Sequence, residues 1–468
     1  MRGIIAAGAY VPYNRLQRSK IAETLGSGGG RGARAVASYD EDTTTLAVEA
    51  GRIALKSAPG VVPGTLVFAT TEPAYLDKNN ASAVHAALDL PSNAGAYDVG
   101  GSVRSGSAAF AAALNSTRTA LAVFADTRTG LAGGADEAGC GDGAAALLFG
   151  DDAAGPVIAE FLGGAATTGE FLDRWRTPGS TESKQWEERF AEAAYAPVIA
   201  EAVAEAYKNT GLTADQVDHV VMTGLAARAV RSAAKFVGAA PDRFADDFAN
   251  TVGNTGTAHV ALMLVDVLER AQPGQVIMVV NCADGCDVAV LRTTDAIAAY
   301  RPAKTVAAQV AGGSDALDYA KFLTWKGALV REPPRRPDPD RPGAPPMLRA
   351  EKWKFGFYGS KDRASGAVHL PPQRVSIRGG AVDDMDPVPM ADVPGTITTF
   401  TIDRLAFSLS PPVIAAVVDY DGGGRYPVEM ADCTVEEVKI GMRVEMTFRR
   451  LYTAQGIHNY FWKARPVR

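Results

Sequence analysis

The chain has 468 residues, 47% of them hydrophobic and 21% charged, which excludes a disordered or fibrous chain and supports about three folding units with a core that needs no staples. Lysine plus arginine total 47 and aspartate plus glutamate 53, a net charge of -6. That balance excludes the basic footprint of a nucleic-acid binder.

The first element is the apolar start Ile4–Ala7, in a stretch whose apolar run is too short for a signal sequence. No later run reaches the 18 residues of a membrane span, so a cytoplasmic chain with no membrane partner is expected. A helix is predicted over Thr43–Leu55 with Asp42 or Thr43 as N-cap. A strand follows at Thr65–Phe68, a helix at Ala81–Leu90, a strand at Ala96–Val99 and an alanine-rich helix at Gly106–Leu114. Ala120–Ala125 and Ala144–Phe149 read as buried strands. The order then repeats, with Val157–Phe161, a long helix Trp186–Thr210, Val217–Met222, a helix Ala226–Val237, a helix His259–Ala271, then Val276–Val280 and Val288–Leu291. Both halves close on a buried strand, a small-residue turn and an apolar strand, which reads as duplication of one βαβ-rich unit.

Residues 331–346, REPPRRPDPDRPGAPP, read as a linker that sustains neither a helix nor a central strand. Beyond it, Thr396–Ile402, Pro412–Tyr420, Gly441–Arg449 and Tyr460–Ala464 are β-rich, and Asp421-Gly-Gly-Gly-Arg425 is a hairpin turn. Four or five strands in so short a stretch suggest an OB-like barrel. The expected organisation is 1–156 and 157–300 as two halves of one α/β fold, 301–349 as connector, 350–385 as a small segment and 386–468 as the barrel. Four cysteines without a CxxC spacing, and five histidines, argue against a disulfide framework and a structural zinc.

Three stretches carry a likeness to a known superfamily: ATTEPAY at 69–75, YDVGGSVRSGSAAFAAAL at 97–114 and TVGNTGTAHVAL at 251–262. With them, residues 1–300 resemble the thiolase superfamily, in particular the 3-hydroxy-3-methylglutaryl-CoA synthases and type III ketoacyl synthases. GTITTFTI, VVDYDGGGRYPVEMADC and EEVKIGMRVEMTF make residues 350–468 similar to the zinc-ribbon/OB-fold proteins that accompany thiolases and acyl-CoA aldolases. The resemblance implies a duplicated thiolase fold, layered αβαβα, followed by the barrel. It implies a coenzyme A thioester as substrate with no permanently bound cofactor, a homodimer, and a possible partner thiolase or acyl-CoA enzyme. It also suggests that Leu131–Gly143 of the dimer mate helps to form the acyl pocket. The ribbon stretch has no cysteine, so no metal is expected there and packing alone is expected to hold it.

In this superfamily a nucleophilic cysteine opens a helix, where backbone N–H groups and the helix dipole lower a thiol's pKa and form an oxyanion hole. Counting from Asp98 and back from Gly106 places Val103 at that position, and valine cannot attack. Ser102 and Ser105 flank it: Ser102 reads as a helix cap or, with a register shift, as a substitute nucleophile. Arg104 reads as solvated, or as reaching for a phosphate or carboxylate. Matching the family's arginine to Arg228 puts Thr223 at the position of the usual histidine. Asn254 in GNTGTA matches the family asparagine whose amide donates to a thioester oxygen, and Glu72 in TTEP matches the synthases' acid/base glutamate. His259 reads as a packing histidine or a replacement for the missing one. Cys282, Asp284 and Asp287 are weaker pocket candidates. Arg228, Arg231 and Lys235 are expected to meet the coenzyme A phosphates.

Without a cysteine the covalent acyl route has no carrier, whereas aldol chemistry on an acyl-CoA needs only an oxyanion hole and an acid/base. The steroid side-chain aldolases of actinobacteria are similar in pairing a thiolase-like chain that lacks the nucleophile with an OB-fold. Three readings follow: an acyl-CoA C–C lyase working by aldol or retro-aldol chemistry, a synthase or acyltransferase with a non-standard nucleophile, and a non-catalytic acyl-CoA-binding partner of an active thiolase.

Overall fold

The computed structural model describes residues 1–337 and 339–468. Residue 338, in the proline-rich stretch read as linker, lies outside the described residues. The chain divides into one unit of Met1–Ala37, Asp42–Ser82 and Pro91–Phe322, and a second of Ser38–Glu41, Ala83–Leu90 and Leu323–Arg468.

In the first unit the apolar runs become nine strands: β1 (Arg2–Tyr10), β2 (Thr65–Thr70), β3 (Gly95–Gly100), β4 (Ala120–Asp126), β5 (Gly143–Asp151), β6 (Ala159–Thr168), β7 (His219–Gly224), β8 (Val276–Cys282) and β9 (Gly285–Thr293). Their order is β7-β8-β9-β6-β1-β5-β4-β2-β3. On one side of the β1–β6 junction, β1 pairs antiparallel with β5 and β5 with β4, and then β4, β2 and β3 run parallel. On the other side β6 pairs antiparallel with β9 and β9 with β8, and then β8 and β7 run parallel. The two halves thus repeat one topology, as the sequence repeat predicts. The place beside β7 that corresponds to β3 holds a parallel bridge from Val220 to Phe244 rather than a strand.

Strands β4 and β8 are buried along their whole length, as continuous apolar runs require when both faces are covered. Helix α1 (Thr43–Lys56) is capped by Asp42, whose carboxylate accepts from the Thr45 N–H at 2.9 Å while the Thr45 hydroxyl accepts from the Asp42 N–H. Helices α2 (Ser105–Leu114) and α5 (His259–Arg270) place Ala109, Ala113, Leu262 and Leu264 in the main core with Phe124 and Phe149 of the sheet. A second core gathers around α3 (Glu188–Thr210) and α4 (Ala227–Ala233). The predicted start of α3 at Trp186 is two residues early: Glu187 is the N-cap, with extended backbone at ψ 138°, and the Trp186 N–H goes to the Asp173 carbonyl at 2.7 Å.

In the second unit, β10 (Gly395–Asp403), β11 (Val413–Tyr420), β12 (Arg425–Glu429), β13 (Arg443–Ala454) and β14 (Ile457–Pro466) lie in the order β12-β11-β10-β13-β14. A parallel bridge from Met430 to Ala464 joins the ends of that order, as a small barrel needs. Burial alternates strictly along β11, matching its sequence pattern. Two expectations are corrected here. The end of the proline-rich stretch does form a helix, Ala344–Arg349, because Pro345 and Pro346 fall in its first turn, where no N–H is needed. The cysteine-free segment is also held by more than packing: Tyr358–Asp362 pairs with Val368–His369 and Met385–Pro389. The Asp362 carboxylate gathers the Ala364 N–H and the Ser365 hydroxyl, and the His369 Nε2 accepts from the Ile377 N–H at 3.1 Å.

Candidate active site

Strand β3 ends at Gly100, and Gly101, with φ of 116°, turns the chain toward α2. A residue with a Cβ rarely adopts that angle, so the glycine sets the path. Ser102 and Val103 follow the turn and α2 begins at Ser105. Both line a cleft of about 530 Å³, together with Thr71, Glu72, Arg128, Tyr195 and Asp284. The Ser105 and Gly106 N–H groups bond to the carbonyls of Ser102 and Val103, and among the described residues the Val103 N–H has no acceptor. An apolar side chain and an unspent backbone donor therefore meet where the superfamily resemblance expects a thiolate.

A further part of the lining comes from a hairpin, Arg174–Trp175 with Lys184–Gln185, whose first strand faces the cleft and which no sequence signal predicts. Asp136 anchors it, accepting from Arg174 at 2.6 and 3.0 Å and from the Gln185 amide at 2.8 Å. Residues 173–181 and Ser183 supply much of the lining. Asp173 is half-buried there, and burial, then the nearby Asp284 carboxylate, raises its pKa above the usual carboxylate range, against opposing backbone N–H bonds. Tyr195 from α3 accepts the Asp284 N–H at 3.3 Å and packs edge-on against Phe171. Asp173, Tyr195 and Arg128 were missed by the sequence reading. The available signals were the charged run Asp173-Arg-Trp-Arg176 around a tryptophan and a cation just past a buried strand.

The structure brings Glu72, Ser102, Val103 and Asp284 to one cleft and leaves the other candidates outside its lining. Glu72 does not face an apolar wall: Arg176 donates to its carboxylate and to the Thr71 carbonyl. The Ser102 hydroxyl accepts from the Arg104 N–H at 3.3 Å, a bond within the turn; Arg104, not Ser102, stands at the N-cap of α2. The Asn254 amide is spent within the protein. Its Nδ2 donates to the Gly224 carbonyl at 3.2 Å and the Thr223 hydroxyl at 3.4 Å, and its Oδ1 accepts from Gly256, so it ties the end of β7 to the glycine turn. His259 is corrected to a packing residue. Its Nδ1 faces Thr255 and its Nε2 the Asp247 carbonyl at 3.1 Å, and burial holds its pKa down at about 4.

Arg104 is neither solvated nor reaching for a phosphate. It makes a bidentate pair with Asp287 at 2.9 and 3.1 Å and donates to the Asp284 carbonyl at 2.8 Å. Cys282 sits opposite Cys286 across β8 and β9, and their hydrogen bond, then burial, pushes its pKa well up, away from a reactive thiolate. Arg228, Arg231 and Lys235 share an exposed stripe along and just beyond α4, three residues and more after Leu225 of the cleft wall. Arg228 is paired there with Glu192 at 2.9 Å.

A second, mostly apolar cavity of about 330 Å³ lies between α2 and the second half of the sheet, lined by Phe110, Leu114, Phe161, Leu264 and Val288. Among the described residues no three His, Cys, Asp or Glu side chains could together hold a metal, and no helix is long and apolar enough to cross a membrane.

Residues 207–292 match the family described as 3-Oxoacyl-[acyl-carrier-protein (ACP)] synthase III C terminal, and residues 387–449 match ChsH2, C-terminal OB-fold domain. The hydroxymethylglutaryl-CoA synthase of Caldivirga maquilingensis is 30% identical over 346 residues, 69% of this chain and 97% of that protein. That of Methanocaldococcus jannaschii is 28% identical over 344 residues, 70% of this chain and 99% of its own. A solved structure of HMG-CoA synthase complexed with CoA aligns at a TM-score of 0.58 with 16% identity, covering 69% of this chain and 89% of that one.

Proposed function

Because this chain belongs to the hydroxymethylglutaryl-CoA synthase family, whose fold is that of the thiolase superfamily of acyl-CoA carbon–carbon bond enzymes, we propose that it makes or breaks a C–C bond beside a thioester without a covalent acyl-enzyme. One observation carries the reading: Val103, not a nucleophile, stands in the cleft lining two residues before α2, and its backbone N–H has no acceptor among the described residues.

In the breaking direction, the β-hydroxyl of a bound acyl-CoA gives its proton to a carboxylate. Glu72 and Asp173 are the two we assign to this work. The Cα–Cβ bond then breaks, a carbonyl forms at Cβ, and the electron pair moves into a thioester enolate. The Val103 N–H at the start of α2 steadies the enolate oxygen. A proton returned to Cα completes the acyl-CoA product. The forward aldol reaction runs the same steps in reverse. Asn254 acts in this reading by holding the turn. The coenzyme A phosphates are assigned to the stripe of Arg228, Arg231 and Lys235, and the homodimer suggested by the resemblance is part of the same reading.

Covalent transfer through Ser102 is the weaker alternative, since the hydroxyl's partner is the Arg104 N–H rather than a base. Intact-protein mass spectrometry after incubation with acetyl-CoA and longer esters, with released CoA followed in parallel, tests both. Cleavage of β-hydroxyacyl-CoA to an aldehyde or ketone with no adduct is the expected result. A stable adduct would overturn the aldol reading. Bound thioester that neither reacts nor acylates the protein would leave a non-catalytic acyl-CoA partner.

A further inference from the structure

Three arginines line the cleft, and two are committed. Arg174 is held by both oxygens of Asp136, and Arg176 by Glu72 and the Thr71 carbonyl. Arg128 differs. It lies two residues past the end of β4, with its main chain fixed on both sides: its N–H donates to Asp142 at 2.7 Å, and its carbonyl accepts from Arg34 at 2.8 Å. The residue is only 8% exposed, its Nη1 donates to the Thr71 hydroxyl at 3.1 Å, and its buried Nε has no hydrogen-bond acceptor among the described residues.

The neighbouring carboxylates are spent elsewhere. Asp126 accepts from the Thr70 hydroxyl at 3.1 Å, the Thr71 N–H at 2.7 Å and the Thr257 N–H at 2.8 Å. Asp142 accepts from the Arg128 and Ala37 N–H groups, both at 2.7 Å, and from Arg34 at 3.3 Å. The Cys140 thiol is a hydrogen-bonding neighbour of the guanidinium, and the Asp126 and Asp136 carboxylates act on it through space without bonding it. A permanently charged fork, held rigidly in a ligand cleft without a carboxylate of its own, matches a planar oxyanion arriving with the ligand.

We infer that Arg128 is the specificity-determining residue of the cleft and that the acyl group of its thioester carries a carboxylate. This deepens the acyl-CoA reading and rests on it. The thioester end lies at Val103 and the carboxylate at Arg128, on the wall shared with Thr71 and Glu72. A coenzyme A phosphate is the other source of such an oxyanion, and the test separates the two.

The test is calorimetric titration of the full chain with matched esters, succinyl-CoA against butyryl-CoA and glutaryl-CoA against valeryl-CoA, alongside coenzyme A alone. The carboxylate esters should bind at least tenfold tighter than their partners. Arg128→Gln should erase that preference while leaving the affinity for coenzyme A unchanged, and Arg128→Lys should keep part of it. Equal affinities within each pair would overturn the inference on the wild-type protein alone, with no variant needed, while leaving the acyl-CoA reading standing. A loss of affinity for coenzyme A itself in Arg128→Gln would assign the residue to a phosphate and overturn it too. Binding of none of the esters and not of coenzyme A would overturn the acyl-CoA reading itself.

Discussion

In the proposed route Val103 matters most, because a side chain that cannot attack leaves no covalent carrier. A thiol at that point would sit just before a helix N-terminus with its own backbone N–H unspent, a setting that lowers thiol pKa values. The variant Val103→Cys should therefore gain a mass adduct on incubation with acetyl-CoA, while the wild type stays unmodified. An unmodified variant that still binds coenzyme A would show that the helix start does not activate a nucleophile. His259 offers a second test at this scale. The unfolded chain's histidine takes a proton near pH 6.5, but the folded one resists until about pH 4 because it is buried. Between those values the unfolded state binds more protons, so stability falls as pH falls. Wild type should lose about 2 kcal/mol between pH 7 and pH 4.5 from this group, read as a falling urea midpoint. His259→Gln should lose correspondingly less over the same window. That Glu72, Ser102 and Val103 lie near one cleft was legible in the sequence because local motifs place them. Arg128 and Asp173 were not, because their roles arise from what distant chain segments place around them.

Among the elements, α1 shows how far local signals reach. The sequence offered Asp42 or Thr43 as its cap, and tertiary contacts chose between them. The Thr43 hydroxyl donates to the Glu72 carbonyl at 2.7 Å, leaving Asp42 to cap the helix. Asp42→Ala should cost about 1 kcal/mol by losing the bond to the Thr45 N–H, measured by chemical denaturation. A change within a few tenths would mean that the helix packing supplies the stability and the cap little. Strands were legible where apolar runs or strict alternation set the period, as in β4 and β11. The hairpin Arg174–Trp175 with Lys184–Gln185 was not: its strands are two residues long and polar or aromatic. The bonds of Asp136 to Arg174 and Gln185, not periodicity, hold it.

At the scale of the whole molecule, the second unit holds an ion cluster of its own. Arg449 pairs with Asp40 at 3.3 Å, Glu41 at 3.0 Å and Asp432 at 2.5 Å, and Lys463 pairs with Asp40 at 2.9 Å and Glu429 at 2.8 Å. Burial pushes the Asp40 carboxyl up, but Lys463 and Arg449 together outweigh it and bring it down to about 2. An unfolded aspartate titrates near 3.9, so this group's contribution is fully present above about pH 4 and is lost as pH falls toward 2. It is worth about 2 kcal/mol. Asp40→Asn should lower the stability of the second unit at pH 7 and flatten its decline between pH 4 and pH 2, followed by tryptophan fluorescence during acid titration. A wild-type-like decline in the variant would remove Asp40 from the account.

The sequence by itself determined the duplicated α/β topology, the separate β-rich end and the valine at position 103, because each is written in periodicity or in the identity of one residue. Tertiary structure decided which polar groups are left for a ligand. It spent Asn254 on a turn, Arg104 on Asp287 and His259 on the core, and left Arg128 in the cleft without a carboxylate. Hydrogen-bond partners come from whichever segments meet in space, and neither composition nor spacing along the chain records those meetings.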